Sequence, residues 1–301
     1  AFFHFANKLS LLSKKKKKMK KNKNKQPLVS VVMPVYNAGL FLSEAIESIA
    51  PQTFDNFEFI IVDDASTDNS WEIIKKYEKK DQRIKAFRNK KNLGVSATTN
   101  FAISKTQAKY LARIYADDIA FLDRLEKQVN YLKKNKDVIG IGGQCVVIDE
   151  ENKVIGQKRF PTEFKKLKRM IFEAVPVQQP TLMINTSLLP KKFKWYSPEC
   201  SSAEEIDVLF KLMKYGKLAN LNDWTLYYRY RADSLSHINP KQTFWLTLKS
   251  RFKAVKQGYT PSLKAIFINI AQIIAISILP NKIISQLWNL VRGISQPEIS
   301  L

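Results

Sequence analysis

The chain has 301 residues, 45% of them hydrophobic and 26% charged, enough for one large or two small globular domains with a core, which excludes disorder throughout. Nine glycines, twelve prolines and no fixed-period repeat exclude collagen-like, low-complexity and solenoid architectures. The formal charge of +23 is uneven: residues 1–26 hold ten lysines and no acid, leaving 40 basic against 27 acidic residues, a net of +13, in the remainder.

With 40 Lys to 10 Arg, the excess lacks the bidentate guanidinium groups that nucleic-acid recognition favours, so nucleic acid is not the expected partner. Cys145 and Cys200 cannot build a disulfide framework, and with His4 and His237 as the only histidines an ordinary His/Cys zinc site is excluded. A reducing compartment follows. The N-terminal segment places its lysine run after the apolar residues, the reverse of a secretory signal. Met19 therefore reads as the true start; the alternative is a polybasic tail attracted to anionic lipid.

From Pro27 the pattern changes. Residues 28–35 form a short β-branched apolar run closed by Tyr36, Asn37 and Gly39, which predicts a buried strand ending in a loop. Phe41, Ala45, Ile46 and Ile49 recur at helical spacing, and 57–62 is a second apolar run ending in Asp63 and Asp64. This strand, helix, strand unit predicts a parallel sheet. Residues 66–70 then open a helix carrying Trp71, Ile74 and Tyr77, with Asp68 or Asn69 as cap. The alternation continues with a strand at 84–87, a helix at 96–105 and a strand at 110–114 that runs into Ala116, Asp117 and Asp118. A helix at 122–134, a strand at 138–144, a turn at 149–153, helices at 163–172 and 203–215 and a strand at 224–230 follow.

Acidic pairs thus stand at two strand ends, 63/64 and 117/118. In open α/β sheets ligands bind outside those ends, so both pairs should face one crevice. A lone Asp there is usually a turn former or helix cap. Two converging pairs instead suit a hard divalent cation that completes its shell with substrate phosphates, which implies a nucleoside diphosphate derivative.

The segments SVVMPVYNAGLFLSEAIESI, QTFDNFEFIIVDDASTDNS, NLGVSATTN, ADDIAFLDRLEKQV and AEEIDVLFKLMKYG occur in this order, and together they resemble glycosyltransferase family 2, inverting nucleotide-sugar enzymes of the GT-A fold. The resemblance covers residues 28–232 and implies an α/β, Rossmann-like GT-A domain over 27–235, with a mixed, mostly parallel sheet flanked by helices. A basic tail, 1–26, precedes it and a helical C-terminal extension, 236–301, follows. The implied activity is metal-dependent, inverting transfer of a sugar from a nucleotide-sugar donor to a glycan or lipid-linked acceptor, in cell-surface polysaccharide or glycoconjugate synthesis, with Mn²⁺ or Mg²⁺ as cofactor.

By the same resemblance Pro34, Tyr36 and Asn37 hold the nucleotide, Asp64 meets the base, and Asp63 either joins it or braces the loop. Asp117 and Asp118 hold the metal, Asp117 also facing the donor. The family's Asp-x-Asp motif reads Tyr115, Ala116, Asp117, Asp118 here, without its first acid. The family's catalytic base is usually the Asp of a Glu-Asp pair opening a helix, and here the pair is Glu204, Glu205. Glu205 is the expected base, with Glu204 and Asp207 as alternatives. Glu and Asp differ little in intrinsic pKa, about 4.3 against 3.9, but the extra methylene moves the oxygen by roughly 1 Å. These two departures leave a second reading, a catalytically weak nucleotide-sugar binding protein of the same fold. Gln179, Pro180 and Thr181 fall on the acceptor side, Trp195, Tyr196 and Trp224 either stack on sugar or pack inward, and Arg229, Arg231 and His237 follow the last strand, where relatives close over the diphosphate.

The apolar stretch 265–279, interrupted by Asn269, Gln272 and Ser277, is shorter than the roughly 18–20 residues that span a bilayer. It predicts an interfacial helix or one packed on the domain; with the lipid-linked or cell-surface acceptors that the resemblance implies, the expected location is cytoplasmic, peripheral on the inner face of the membrane.

Overall fold

The computed structural model describes residues 26–197, 204–231, 239–280 and 283–284. Residues 1–25, Cys200 and His237, named above, lie outside the described residues. Strand β1 (Val29–Val35) is buried at every position, as a β-branched run with neighbours on both sides should be. It pairs in parallel with β2 (Phe57–Asp63) along its whole length and with β4 (Tyr110–Arg113) as far as Val32↔Arg113. Val32 O accepts from Ile114 N–H at 3.2 Å, so residues 32 and 34 face the β4 side. Pro34, which has no N–H to donate, stands just past the point where that ladder ends.

Strand β3 (Ile84–Arg88) extends the parallel set beyond β2. Helix α1 (Leu42–Ile49) buries Leu42, Ala45, Ile46 and Ile49 completely, at the three- and four-residue spacing of one helix face. They join Val31, Met33, Phe59 and Ile61 in one core, to which each large aliphatic contributes about 1.5–3 kcal/mol. On the opposite face Val32, Ile60, Val62 and Leu111 pack with Ala102 of α3 (Val95–Ser104) and with α6 (Glu204–Leu212). Helix α2 (Ser70–Lys80) begins after Asn69, and Asp68 Oδ1 accepts from Ser70 N–H at 3.0 Å.

The second half adds β5 (Ile119–Ala120), α4 (Arg124–Lys134), β6 (Val138–Ile148), β7 (Val154–Lys158), α5 (Phe164–Met170), β8 (Met183–Asn185) and β9 (Lys217–Arg229). The strand order is β3-β2-β1-β4-β8-β6-β9-β5, with β7 on β6. β6 pairs in parallel with β9 and antiparallel with β7 and β8, so the sheet is mixed. A Cβ on Gly142 of β6 would overlap Asn220 and Val177, so this glycine lets β9 and the 177–181 segment approach closely. Strands β5 and β8 are too short to carry a hydrophobic pattern. β9 begins before the expected 224, because Leu218 and Ala219 are already buried against β6.

Two antiparallel helices follow, α7 (Pro240–Lys256) and α8 (Leu263–Ile278). Asn269 of α8 donates to Phe172 O at 2.7 Å and accepts from Arg251 of α7 at 2.8 Å. No helix among the described residues is long and apolar enough to cross a membrane.

Candidate active site

The order β3-β2-β1-β4 reverses between β1 and β4, and in open α/β sheets that switch point marks the ligand crevice at the strands' C-terminal ends. Three loops meet there. The first carries Tyr36, half exposed, and Asn37, which adopts φ 48, a left-handed conformation that Asn tolerates. Asn37 Oδ1 accepts from Thr67 N–H at 2.9 Å, while Asn37 N–H donates to Ser66 Oγ at 3.0 Å. Asn37 therefore laces the first loop to the second, and Tyr36 is left at the surface.

The second loop begins with Asp63 and Asp64, both almost fully buried. Asp63 Oδ2 lies 2.8 Å from Arg88 Nε and accepts from Ser66 N–H at 3.2 Å. Asp64 accepts from Asn89 Nδ2 at 2.7 Å, Leu93 N–H at 2.9 Å and Gly94 N–H at 2.8 Å. These bonds occupy three of the roughly four acceptor positions of a carboxylate, leaving one for a ligand. Asp64 thus pins the loop before α3.

The third loop carries Tyr115, Asp117 and Asp118. Tyr115 lies against the buried guanidinium of Arg113, 5.3 Å from its ring centroid, with Tyr196 on the same group at 4.7 Å. Asp118 is 1% exposed, whereas the side chain of Asp117 keeps 27%. Burial, reinforced by the neighbouring Asp117 charge, pushes the Asp118 carboxyl well above the usual carboxylate range. Burial also raises Asp117, against the pull of Arg231, whose Nη1 lies 3.5 Å from Asp117 Oδ2. Asp118 Oδ1 accepts the Arg229 main-chain N–H at 3.0 Å, but Oδ2 is buried without a hydrogen-bond partner.

An orphaned, desolvated carboxylate oxygen beside a second carboxylate fits a divalent cation, which would hold both groups ionised. No cluster of three or more His, Cys, Asp or Glu side chains suited to a metal forms among the described residues, so such a cation would depend on diphosphate oxygens and water to complete its shell. Arg229 does not face a phosphate. Its Nε donates to Asp117 O, Nη1 to Asp149 O and Glu150 O, and Nη2 to Glu44 Oε2 and Asn152 Oδ1, so all five N–H groups are used inside the protein.

The 3₁₀ turn Gln179–Thr181 and Leu182 lie beside β4, since Arg113 N–H donates to Leu182 O at 2.9 Å. Across from them stands the first turn of α6. Glu205 and Gln179 line one narrow cleft with Val177, Leu182, Val208 and Leu209, closed so tightly that it admits no water molecule. Gln179 is 4% exposed, and neither its Nε2 nor its Oε1 has a partner. Two residues further on, about 200° round the helix, Asp207 faces away from the cleft. Its carboxylate meets Lys211 at 2.6 Å and Lys253 of α7 at 3.0 Å. Burial opposes its charge, but these two lysines outweigh it and hold the Asp207 carboxyl below its ordinary value. Glu204 opens the same helix, and its side chain lies outside the description.

Sequence reasoning missed the anchoring role of Arg229, since nothing near it in the chain signals five partners. It also missed Lys158, 5% exposed, whose Nζ lies 3.7 Å from the Tyr228 ring centroid and whose charge lowers the Asp118 carboxyl against the larger effects of burial and Asp117. A lysine at an inward position of β7 was the signal available for it. Trp224 is half-buried and stacks its ring on Arg159, 3.7 Å away. Cys145 is buried, which pushes its thiol up to about 12, as suits a structural cysteine.

The family model of glycosyl transferase family 2 matches residues 30–189. An uncharacterized glycosyltransferase of Methanocaldococcus jannaschii is 36% identical over 77% of this chain and 81% of its own length. Among solved structures, S. aureus TarS (residues 1–349) in complex with UDP-GlcNAc has a TM-score of 0.57 at 21% identity, matching 74% of this chain, which spans 66% of that one. The mannosyltransferase PcManGT from Pyrobaculum calidifontis, in complex with GDP-Man and Mn²⁺, has a TM-score of 0.59 at 17% identity over 96% of this chain and 84% of its own. Both share the mixed α/β fold described above, the expected GT-A arrangement.

Proposed function

This chain belongs to glycosyltransferase family 2, and from that premise we propose that it transfers a sugar, with inversion, from a nucleotide-diphosphate donor bound at the β1–β4 crevice to a glycan or lipid-linked acceptor. The observation that carries this reading is the pair Asp117 and Asp118 at the end of β4, one oxygen buried and unpartnered. A divalent cation, Mn²⁺ or Mg²⁺, held there would neutralise charge developing on the leaving diphosphate. Tyr36 and Asn37, behind Pro34, and Asp64, in the loop that Asp63 braces, border the space for the nucleotide.

Glu205 takes the acceptor hydroxyl's proton as its oxygen attacks the anomeric carbon in line. Its match to the family's helix-opening acid pair supports this role over Asp207, which stands about 200° round the helix against Lys211 and Lys253. Gln179 holds an unpartnered donor and acceptor beside this closed cleft, which would serve a sugar hydroxyl once the cleft opens. The acceptor belongs to cell-surface polysaccharide or glycoconjugate synthesis, and the enzyme works peripherally at the inner face of a membrane.

The test is a screen of UDP-, GDP- and dTDP-sugars with Mn²⁺ or Mg²⁺, scored by released nucleotide and by the anomeric configuration of the product. Chelator should abolish release. Release that persists unchanged in chelator defeats the metal assignment, and a product of retained configuration defeats inversion.

A further inference from the structure

Helices α7 and α8 meet along a seam of Phe244, Leu248, Ile273 and Ile276. Turned away from it, α8 exposes Leu263, Ile266, Phe267, Ile270, Ile274 and Ile278, with Phe267 at 70% and Ile278 at 74%. Their three- and four-residue spacing places them on one stripe. The inward side carries Ala265, Ile276 and the hydrogen-bonded Asn269, so the most apolar face of this helix is the one in solvent. That reverses the ordinary distribution. On α7 an exposed stripe runs Trp245, Lys249, Phe252, Lys256, alternating aromatic and cation. Each stripe lies roughly a quarter turn from the seam, and in an antiparallel pair these quarter turns bring both onto the same surface.

Charge selects the partner. Residues 239–280 hold six basic and no acidic residues. Lys253 and Lys264 are engaged by Asp207 and Glu173, whereas Lys249 and Lys256 make no ion pair among the described residues. A second copy of this cationic surface would repel the first. Anionic lipid complements it: the aliphatic stripe enters the acyl boundary, Trp245 and Phe252 sit at headgroup depth, and the lysines reach the phosphates.

We propose that the α7–α8 surface docks this enzyme on a bilayer containing anionic lipid. This rests on, and deepens, the membrane placement given under Proposed function. It also orients the site: α7 is tied to α6 through Lys253 and Asp207, so docking holds the helix that carries Glu205 one layer from the lipid.

Sedimentation of the full chain with phosphatidylcholine vesicles, with and without phosphatidylglycerol, tests the proposal. Binding is expected with phosphatidylglycerol, weaker by ~10-fold or more without it, and reduced by salt. The exposed pair Ile270→Asp with Ile274→Asp should cut binding by ~10-fold or more, and so should Lys249→Glu with Lys256→Glu. Both variants should keep the parental melting temperature and the parental nucleotide release with soluble substrates, a readout separate from lipid binding. A chain that binds lipid but transfers no sugar leaves docking intact and sinks the catalytic reading alone. No binding to phosphatidylglycerol vesicles overturns the docking surface, as does binding that neither pair of substitutions reduces, which would point to the N-terminal lysines. A dimer that Ile270→Asp with Ile274→Asp splits into monomers also overturns it.

Discussion

The main-chain N–H of Arg229 donates to Asp118 Oδ1 at 3.0 Å, while its side chain donates to Asp117 O at 2.9 Å, so one residue at the end of β9 holds both acids of the turn after β4. The same guanidinium reaches Glu44 of α1 and the turn after β6, and lies 4.5 Å from the Phe41 ring. Arg229→Met should therefore cost roughly 3–5 kcal/mol, because three carbonyls and Glu44 lose their partner together. Lysine, with three donors on one nitrogen, should rescue little of it. Urea unfolding of the two variants checks this, and a loss under about 1 kcal/mol would remove Arg229 from its anchoring role.

Asp118→Asn keeps an acceptor for the Arg229 N–H but removes a buried charge whose ionised form is disfavoured. Without added metal the variant should melt at or above the parental temperature, gaining up to ~1 kcal/mol. Nucleotide diphosphate binding in Mn²⁺ should fall by ~10-fold or more. Thermal melts in chelator and titration calorimetry in Mn²⁺ measure the two effects. Unchanged nucleotide affinity would count against Asp118 as a ligand.

Glu205→Gln retains shape and loses the proton acceptor, so transfer should fall by a factor of ~10² or more with donor KM almost unchanged. Glu205→Asp shortens the reach and reports whether the cleft has adapted to Glu: activity drops if it has and rises if it has not. Parental transfer rates in Glu205→Gln would misplace the base.

Asp207→Asn separates a structural acid from a catalytic one. Its folded carboxyl titrates below the unfolded value, so the stability contributed by its lysine pairs is present above about pH 3.9 and is lost as pH falls through the lower folded value. At neutral pH the variant should lose ~1–3 kcal/mol by leaving Lys211 and Lys253 unpaired, and its deficit should shrink as the pH is lowered below about 4. Melting curves across that range test it. Abolished transfer with an unchanged melting temperature would instead identify Asp207 as the base.

Gln179→Leu matches the cleft's apolar lining and removes two unsatisfied polar atoms, so stability should hold or rise. Acceptor KM should rise several-fold with donor KM unchanged, if the amide serves the acceptor. Saturation kinetics with each substrate varied in turn distinguish this from a purely structural amide.

The chain's own residues determined much of this arrangement, because periodicity and strand-end chemistry are local. The apolar runs at 28–35 and 57–62, the helical spacing of Ala45, Ile46 and Ile49, and the acids after β2 and β4 marked the parallel half and its crevice. Composition also marked 265–279 as too short to span a bilayer. What depended on partners distant in sequence was settled only by the fold. Glu205 and Asp207 read alike as first-turn acids, yet they stand about 200° apart on the helix, and only the arrival of Lys253 from α7 shows Asp207 held in an ion pair. Arg229 looked like a phosphate ligand until residues 44, 117, 149, 150 and 152 converged on it. The short strands β5 and β8 exist only because β9, β4 and β6 offer them edges. In each case the deciding force is pairing between groups that only tertiary structure brings within reach.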